Sequence, residues 1–175
     1  MYRFAGICCA LFILVAAACR GDNRREVFEL NYILDFTIQA GLNTIETHFI
    51  VNPAITSLFE ERLDANSLTI DDVVAVEPRF AELSTIFNDE DLDFIRRLEI
   101  RVFDPFDPDF SREVFYLDPV PTNTRKSIRP FPGLSDVKEI VSQTTFGVEI
   151  RLAFRRIPSQ SYDMRLLFDF SAKGE

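Results

Sequence analysis

Carboxylates are the side chains of this 175-residue sequence with the clearest potential for chemistry, and two groups of them could bind calcium. Calcium takes about six to eight oxygen ligands from flexible loops. The two groups flank a segment that, as one strand, would separate them by about 30 Å, so they could not share an ion. Neither has the ligand spacing of an EF-hand loop. Asp beside Pro is typical of turns, so we interpret these residues as turn-forming rather than metal-binding. The groups are residues 88–91 (Asn-Asp-Glu-Asp) with Asp93, and Asp104 with Asp107 and Asp109.

The single histidine, His48, is the only imidazole that could act in catalysis. A catalytic imidazole needs an orienting partner and a nucleophile or metal within reach. The sequence contains no nucleophile elbow, no histidine–glutamate zinc motif, no phosphate-binding glycine loop and no thiol pair. We therefore interpret His48 as structural or exposed, and predict no catalytic residue, no metal site and no cofactor. A hydrolase that uses two carboxylates about 5–10 Å apart is the remote alternative.

A proline-rich segment is a basic part of an acidic chain whose formal net charge is −9. Residues 119–135 contain no Asp or Glu but include Arg125, Lys126 and Arg129, followed by the apolar Phe131. Stiff loops lose less entropy on binding, which makes them useful recognition elements. We predict these four residues as candidate partner contacts. The alternative, a solvated Greek-key connection, stays open.

The N-terminus has the pattern of a secretory signal peptide. Arg3 supplies a positive charge, and residues 4–18 form an uncharged run of fifteen. A helix that spans a bilayer needs about 20 apolar residues, so this run is short for a membrane span. Its length and its small residues before a cleavage site are typical of a leader. We therefore predict a signal peptide over residues 1–18.

The leader ends in Ala16-Ala17-Ala18-Cys19, which resembles the lipobox of bacterial lipoproteins. The usual pattern has leucine where this chain has Ala16. The resemblance implies that Cys19 is acylated, becomes the new N-terminus and anchors the protein in a membrane of the bacterial cell envelope. In enterobacterial lipoproteins an aspartate after the cysteine favours inner-membrane retention; this chain has Arg20 there, so the resemblance implies the outer membrane. The alternatives are an ordinary cysteine after a cleaved signal, or a leader retained as the anchor.

The charge and the cysteine content agree with a protein anchored by acyl chains in the cell envelope. Loss of residues 1–18 removes Arg3, Cys8 and Cys9, and leaves 157 residues with a formal charge of −10. An acidic surface repels nucleic acid and anionic headgroups, so we expect no nucleic-acid partner and attribute membrane attachment to acyl chains. Cys19 would be the only remaining cysteine, which excludes an intramolecular disulfide.

The elements that would position these residues are mostly strands. Apolar residues alternate with polar ones along three stretches, and this period of two predicts half-buried strands. We expect the last two to form a hairpin with one apolar and one charged face. The first is long enough to require a bend or bulge. The stretches are 28–38, 146–154 and 162–170, with a shorter one over 98–102.

Weaker patterns predict the remaining elements. Helical spacing of Ile55, Leu58, Phe59 and Leu63 predicts a short amphipathic helix or a pair of helical turns. A second helix is expected from Ser135, as N-cap, to Val141. Prolines are expected to end two strands, because proline lacks a backbone donor. Residues 80–86 fit either a strand or an irregular edge. The other predicted strands are 44–51, ended by Asn52-Pro53, then 73–77, limited by Pro78, and 113–117.

These patterns predict an all-β chain: an antiparallel β-sandwich with Greek-key-like connections and one or two short helices. A small β-barrel is the alternative. We expect a tether over residues 19–25 and one domain over residues 26–175. The corresponding function is a non-enzymatic, membrane-anchored lipoprotein that binds or scaffolds an envelope protein. The phenylalanine-rich inner face suggests, as an alternative, a carrier of a hydrophobic ligand in a cavity between the sheets.

Overall fold

Two antiparallel sheets pack face to face, which confirms the predicted β-sandwich. The sheets are open, so the alternative barrel is not formed. The structure is a computed structural model that describes residues 24–87, 91–124 and 126–175. The predicted signal peptide, Cys19 and most of the tether lie outside the described residues, as do residues 88–90 and Arg125.

The first sheet has the strand order β1-β9-β3-β6, and the second has the order β2-β8-β4-β5-β7. In the first sheet the strands are β1 (Arg25–Ile38), β3 (Ala75–Thr85), β6 (Ser127–Ile128) and β9 (Tyr162–Gly174). In the second they are β2 (His48–Thr56), β4 (Ile95–Asp104), β5 (Asp107–Leu117), β7 (Phe131–Pro132) and β8 (Thr145–Phe154). The predicted tether therefore ends early, since Arg25 already belongs to β1.

Strand β1 follows its predicted alternation. Its even-numbered residues from Phe28 to Ile38 are buried or half-buried, while most of the odd-numbered ones between them are exposed. It pairs with β9 in one register from Phe28 opposite Ala172 to Ile38 opposite Tyr162. The expected irregularity is a bulge between Glu26 and Phe28, at the start of the strand. Beyond the bulge, apolar residues of both strands therefore face the same side.

The predicted C-terminal hairpin is wrong. Both strands exist, but β8 lies in the second sheet between β2 and β4, whereas β9 lies in the first sheet between β1 and β3. The connection 155–161 therefore crosses from one sheet to the other. Alternation shows which face of a strand is buried, but it does not identify the neighbouring strand. Consecutive strands often pair, and here that expectation failed.

Prolines do not end the strands where the sequence predicted. Strand β3 continues through Pro78, with a bulge at Arg79 that shifts the register between Pro78 and Phe80. The extra residue changes which positions face the core. Before the bulge even-numbered residues are buried, and after it the odd-numbered Ala81 and Leu83 are. Strand β2 likewise begins later than expected and continues past Asn52-Pro53, with its register shift between Asn52 and Ile55. Residues 80–86 were ambiguous because this change of parity lies just before them.

The helices are shorter than predicted. Helix α1 (Phe59–Asn66) starts after Ile55, which belongs to β2, and a 3-10 turn follows over Ile70–Asp72. Helix α2 (Lys138–Val141) does not use Ser135 as its N-cap. The Asp136 carboxylate instead accepts hydrogen bonds from the backbone N–H groups of Val76 and Lys138, at 2.9 Å each. It thereby holds the start of α2 against β3.

Aromatic rings from both sheets meet in the core. The Tyr32 ring of β1 lies 5.1 Å from the Phe146 ring of β8, across the space between the sheets. Within its own sheet, Tyr32 stacks on Phe168 at 5.3 Å and meets Phe170 at 6.1 Å. Phe170 in turn lies 6.3 Å from Phe115 of the second sheet. The described inner faces thus interdigitate ring against ring, and these contacts give no support to a ligand cavity at this place.

Candidate functional site

The proline-rich segment joins the edges of the two sheets on one side of the sandwich. Its β6 residue Ile128 lies opposite Leu83 of β3, and its β7 residue Phe131 lies opposite Tyr116 of β5. Both pieces are outermost strands of two residues each. Proline lacks a backbone donor, which agrees with this position at the sheet edges rather than in a central strand.

Buried residues fix the backbone of this segment. Val120 and Ile128 are buried in the core, and Pro130 is buried between the two short strands. The Val120 N–H donates to the carbonyl of Arg96 at 2.8 Å, and the Gly133 N–H donates to the carbonyl of Val114 at 2.7 Å. The segment is therefore a stiff connection whose side chains are presented on a fixed backbone.

Apolar side chains on the second sheet's side of this segment face solvent. The Phe131 ring is 59% exposed, and its centroid lies 6.3 Å from that of Tyr116. Leu134, two residues beyond β7, is fully exposed at 101%. We call Tyr116, Phe131 and Leu134 the apolar edge. Exposed aromatic residues on a fixed backbone are typical of protein-binding surfaces.

The predicted basic residues are only partly brought together with Phe131. Arg129 lies on the outer side of the first sheet, where its Nε is 2.6 Å from Glu82 Oε2 and its guanidinium lies 5.6 Å from the centroid of the Phe80 ring. Lys126 is exposed, and Arg125 lies outside the described residues. The positive charge of Arg129 is thus balanced by Glu82, and the apolar edge is the more distinctive feature.

Alternating charges cover the outer face of the second sheet. Neighbouring strands β4 and β8 place Glu99 opposite Arg151 and Arg101 opposite Glu149. Arg151 binds Glu149 at 2.6 Å and Glu99 at 3.3 Å, and Arg101 binds Glu99 at 3.3 Å. The Arg151–Glu99 pair joins the two strands, and cross-strand pairs of this kind stabilise a sheet. These charged residues therefore have a structural explanation.

Hydrogen bonds favour the ionised form of four described carboxylates. Each carboxyl with a shifted pKa has that pKa lowered, because hydrogen bonds favour the charged state. A general acid needs the opposite shift. None of these four carboxyls therefore has the raised pKa that a general acid needs. The pKa is lowered for Glu26 by the Ser171 hydroxyl, for Asp35 by Arg165, for Asp72 by the Thr69 backbone and hydroxyl, and for Asp104 by Gln143 and the Phe106 backbone.

The residues considered for catalysis or metal binding have structural contacts. The His48 Nε2 lies 2.8 Å from the carbonyl of Asn43, and its ring stacks on Phe154 at 5.2 Å. Asp104 accepts a hydrogen bond from the Phe106 N–H at 2.8 Å, which is turn chemistry. Within residues 24–87, 91–124 and 126–175, no three His, Cys, Asp or Glu side chains are grouped to hold a metal.

Three solvent-open clefts were not anticipated from the sequence. One, of about 650 Å³, lies between α1 and the residues after α2, with Glu60 and Gln143 among its lining residues. A second, of about 310 Å³, lies above Arg101 and Arg151 on the outer face of the second sheet. A third, of about 340 Å³, has Leu134 of the apolar edge in its lining. Their linings combine residues distant in sequence, which no local pattern could reveal. The first two do not lie between the sheets.

The membrane-attachment prediction falls outside the described residues. Cys19 and the leader are among residues 1–23. Within the part of the chain that the structure describes, no helix is long and apolar enough to cross a membrane.

Comparisons with known proteins add little. No family model and no curated protein matches the chain. A solved chain from Desmodium yellow mottle tymovirus is similar over 88% of this chain and 90% of its own length, with 12% identity and a TM-score of 0.28. A likeness at that level carries no argument about function.

Proposed function

We propose that this chain is a non-enzymatic lipoprotein, anchored by acyl chains on Cys19, that binds or scaffolds a protein of the bacterial cell envelope, at the outer membrane rather than the inner. The observation that carries the binding role is the apolar edge: Phe131 and Leu134 are exposed on a segment whose backbone is fixed to both sheets.

The apolar edge has the properties of a recognition element. Burial of apolar surface supplies about 25 cal/mol per Å², and a backbone that is already ordered loses little entropy on binding. Aromatic residues with polar surroundings are frequent at the energetic centres of interfaces. Arg129 and Glu82, on the far side of Pro130, would provide a charged rim to the same contact.

The start of β1 limits how far the domain could lie from the anchor. Arg25 is six residues after Cys19, which spans at most about 20 Å when extended. Arg24 Nη1 lies 3.0 Å from Glu77 Oε1 of β3, so the chain is already held against the sheet just before β1. An acylated Cys19 would therefore keep the domain, and its apolar edge, close to the membrane surface.

Replacement of Cys19 tests the anchor. We expect Cys19→Ser to move the protein from the membrane fraction to the soluble fraction, because loss of acylation removes the buried methylenes that hold it. Cell fractionation followed by immunoblotting measures the distribution. The matched control is Cys9→Ser, which lies in the predicted leader and should leave the protein membrane-bound. Membrane association that persists in Cys19→Ser would refute the lipid anchor.

Replacement of Phe131 tests the binding surface. We expect Phe131→Ser to reduce a partner that co-purifies after gentle detergent extraction by about tenfold or more, the effect of losing a central aromatic contact. Phe106→Ser is the matched control, since Phe106 is 88% exposed in the turn between β4 and β5. Quantitative mass spectrometry measures how much partner is recovered with the unaltered protein and with each variant. Equal recovery from all three would show that the partner does not bind the apolar edge.

A further inference from the structure

We propose that the free edge of β1 pairs with β1 of a second copy of this chain, antiparallel and centred on Ile33. The two first sheets would then form one continuous eight-stranded sheet around a two-fold axis. This inference concerns the side of the sandwich opposite the apolar edge, and it does not depend on the lipid anchor or on the envelope partner.

Strand β1 is the outermost strand of the first sheet, and β9 is its one strand neighbour among the described residues. A strand with one neighbour presents a row of backbone N–H and C=O groups on its other side, which can pair with another chain. At 14 residues, β1 is also the longest strand of the structure. A long edge offers many such groups in one register.

The other outermost strands are protected against such pairing. Strands β6 and β7 have two residues each, and β7 includes Pro132. Strand β2 contains Pro53 within an irregular stretch between Asn52 and Ile55. Natural proteins protect sheet edges with short strands, prolines, bulges or lysines. Between Phe28 and Ile38, β1 contains no lysine, no proline and no bulge.

The charges on the outer face of β1 are directed towards its own sheet. The Asp35 carboxylate accepts two hydrogen bonds from Arg165 of β9, at 2.8 and 2.7 Å. Glu29 lies 2.6 Å from Arg79, in the bulge of β3. Carboxylates that are neutralised within the sheet repel an approaching strand less than free ones would. Ile33, between them, is 67% exposed.

The sequence of β1 is self-complementary about Ile33. In an antiparallel pair centred there, Ile33 faces Ile33 of the second copy, Asn31 faces Asp35, and Glu29 faces Thr37. No two like charges are then opposite each other, and the exposed isoleucines bury one another. The inner face would pair Leu30 with Phe36 in the same register.

Neighbouring registers are less favourable. An axis at Tyr32 would set Glu29 opposite Asp35, which places two carboxylates together. An axis at Leu34 would set Ile33 opposite Asp35. A shift by a single residue would turn the inner face of one copy outward, because side chains alternate along a strand. The Ile33 register therefore follows from charge and burial together.

The pairing determines how far apart the first residues of the two β1 strands would lie. Position 25 would lie opposite position 41, so the two Arg25 residues would be about 50 Å apart, at opposite ends of the paired strands. Two short tethers could then reach one membrane only if the strands lie along its plane. The two apolar edges would face away from the dimer axis.

Cysteine cross-linking of the full-length chain in cells tests the register. We expect Ile33→Cys to form a disulfide-linked dimer on mild oxidation, because directly opposed residues have Cα atoms about 4.5–5.5 Å apart, within disulfide range. The yield should exceed that of Thr37→Cys by about tenfold or more, since the two copies of position 37 would lie about 26 Å apart. Non-reducing electrophoresis measures the yield, with the unaltered chain as the baseline for its own cysteines.

A co-expressed pair provides an independent check of the register. Asn31→Cys in one chain and Asp35→Cys in another should cross-link to each other, while neither should cross-link to itself. Thermal unfolding of Ile33→Cys after reduction confirms that it is folded. No dimer at position 33, equal yields at 33 and 37, or a cross-link to a protein of different mass would each overturn the proposal.

Discussion

Replacement of Arg155 by alanine is expected to lower the free energy of unfolding by about 3 kcal/mol, because the side chain satisfies several backbone carbonyls at once. Arg155 Nη1 donates to the carbonyls of Asp93 and Ile95, at 2.9 Å each, and Nη2 donates to the carbonyl of Val120. Alanine would leave these partly buried acceptors without their charged donor. Urea unfolding followed by circular dichroism measures the loss.

The next residue supplies the matched control. The Arg156 side chain is 64% exposed and forms an ion pair with Asp93. Exposed ion pairs contribute at most about 1 kcal/mol, so Arg156→Ala should change stability little. Similar losses in the two variants would contradict the structural role assigned to Arg155.

The role of Arg155 explains how one end of the sandwich is held together. It belongs to the connection between β8 and β9, while Asp93 precedes β4 and Val120 follows β5. One guanidinium therefore joins three connections that enter and leave different strands. The Val120 contact also places the start of the proline-rich segment, so Arg155 positions the candidate site without belonging to it.

Local alternation predicted the strands well, because burial of one face is a property of each strand alone. The even-numbered residues of β1 from Phe28 on, and those of β8 and β9, are buried or half-buried as expected. Strand pairing depends on residues far apart in sequence, so the predicted hairpin of β8 and β9 failed. Bulges were a second source of error, since the one at Arg79 reverses the parity within β3.

The candidate site was predicted only in part for the same reason. Arg129 and Phe131 were identified from the composition of the proline-rich segment. Their neighbours Phe80 and Tyr116 were not, because strand register brings them there from β3 and β5. In the predicted strand 113–117, Tyr116 alternates with Phe115, and this alternation could have predicted that Tyr116 faces outward. No local pattern in the sequence could predict that Arg129 lies beside the Phe80 ring.

Replacement of Phe170 by alanine is expected to lower the free energy of unfolding by about 4 kcal/mol, the middle of the range for a buried ring. Phe170 is 0% exposed on the central strand β9, and its ring lies 5.8 Å from Phe168 and 6.3 Å from Phe115. Alanine would leave a void that close-packed rings from two sheets cannot readily fill. Phe170→Leu, which keeps most of the volume, should cost about 1.5 kcal/mol or less.

The Phe170 measurement also separates two interpretations of the phenylalanine-rich interior. Phe106→Ala, at a ring that is 88% exposed, is the control and should leave stability nearly unchanged. A loss of several kcal/mol at position 170 would mean that the rings are packed against one another as a structural core. A loss below about 1 kcal/mol would mean that the interior tolerates empty volume, since a filled core would show a cavity cost. Only the second result would favour a carrier of hydrophobic ligands over a binding or scaffolding lipoprotein.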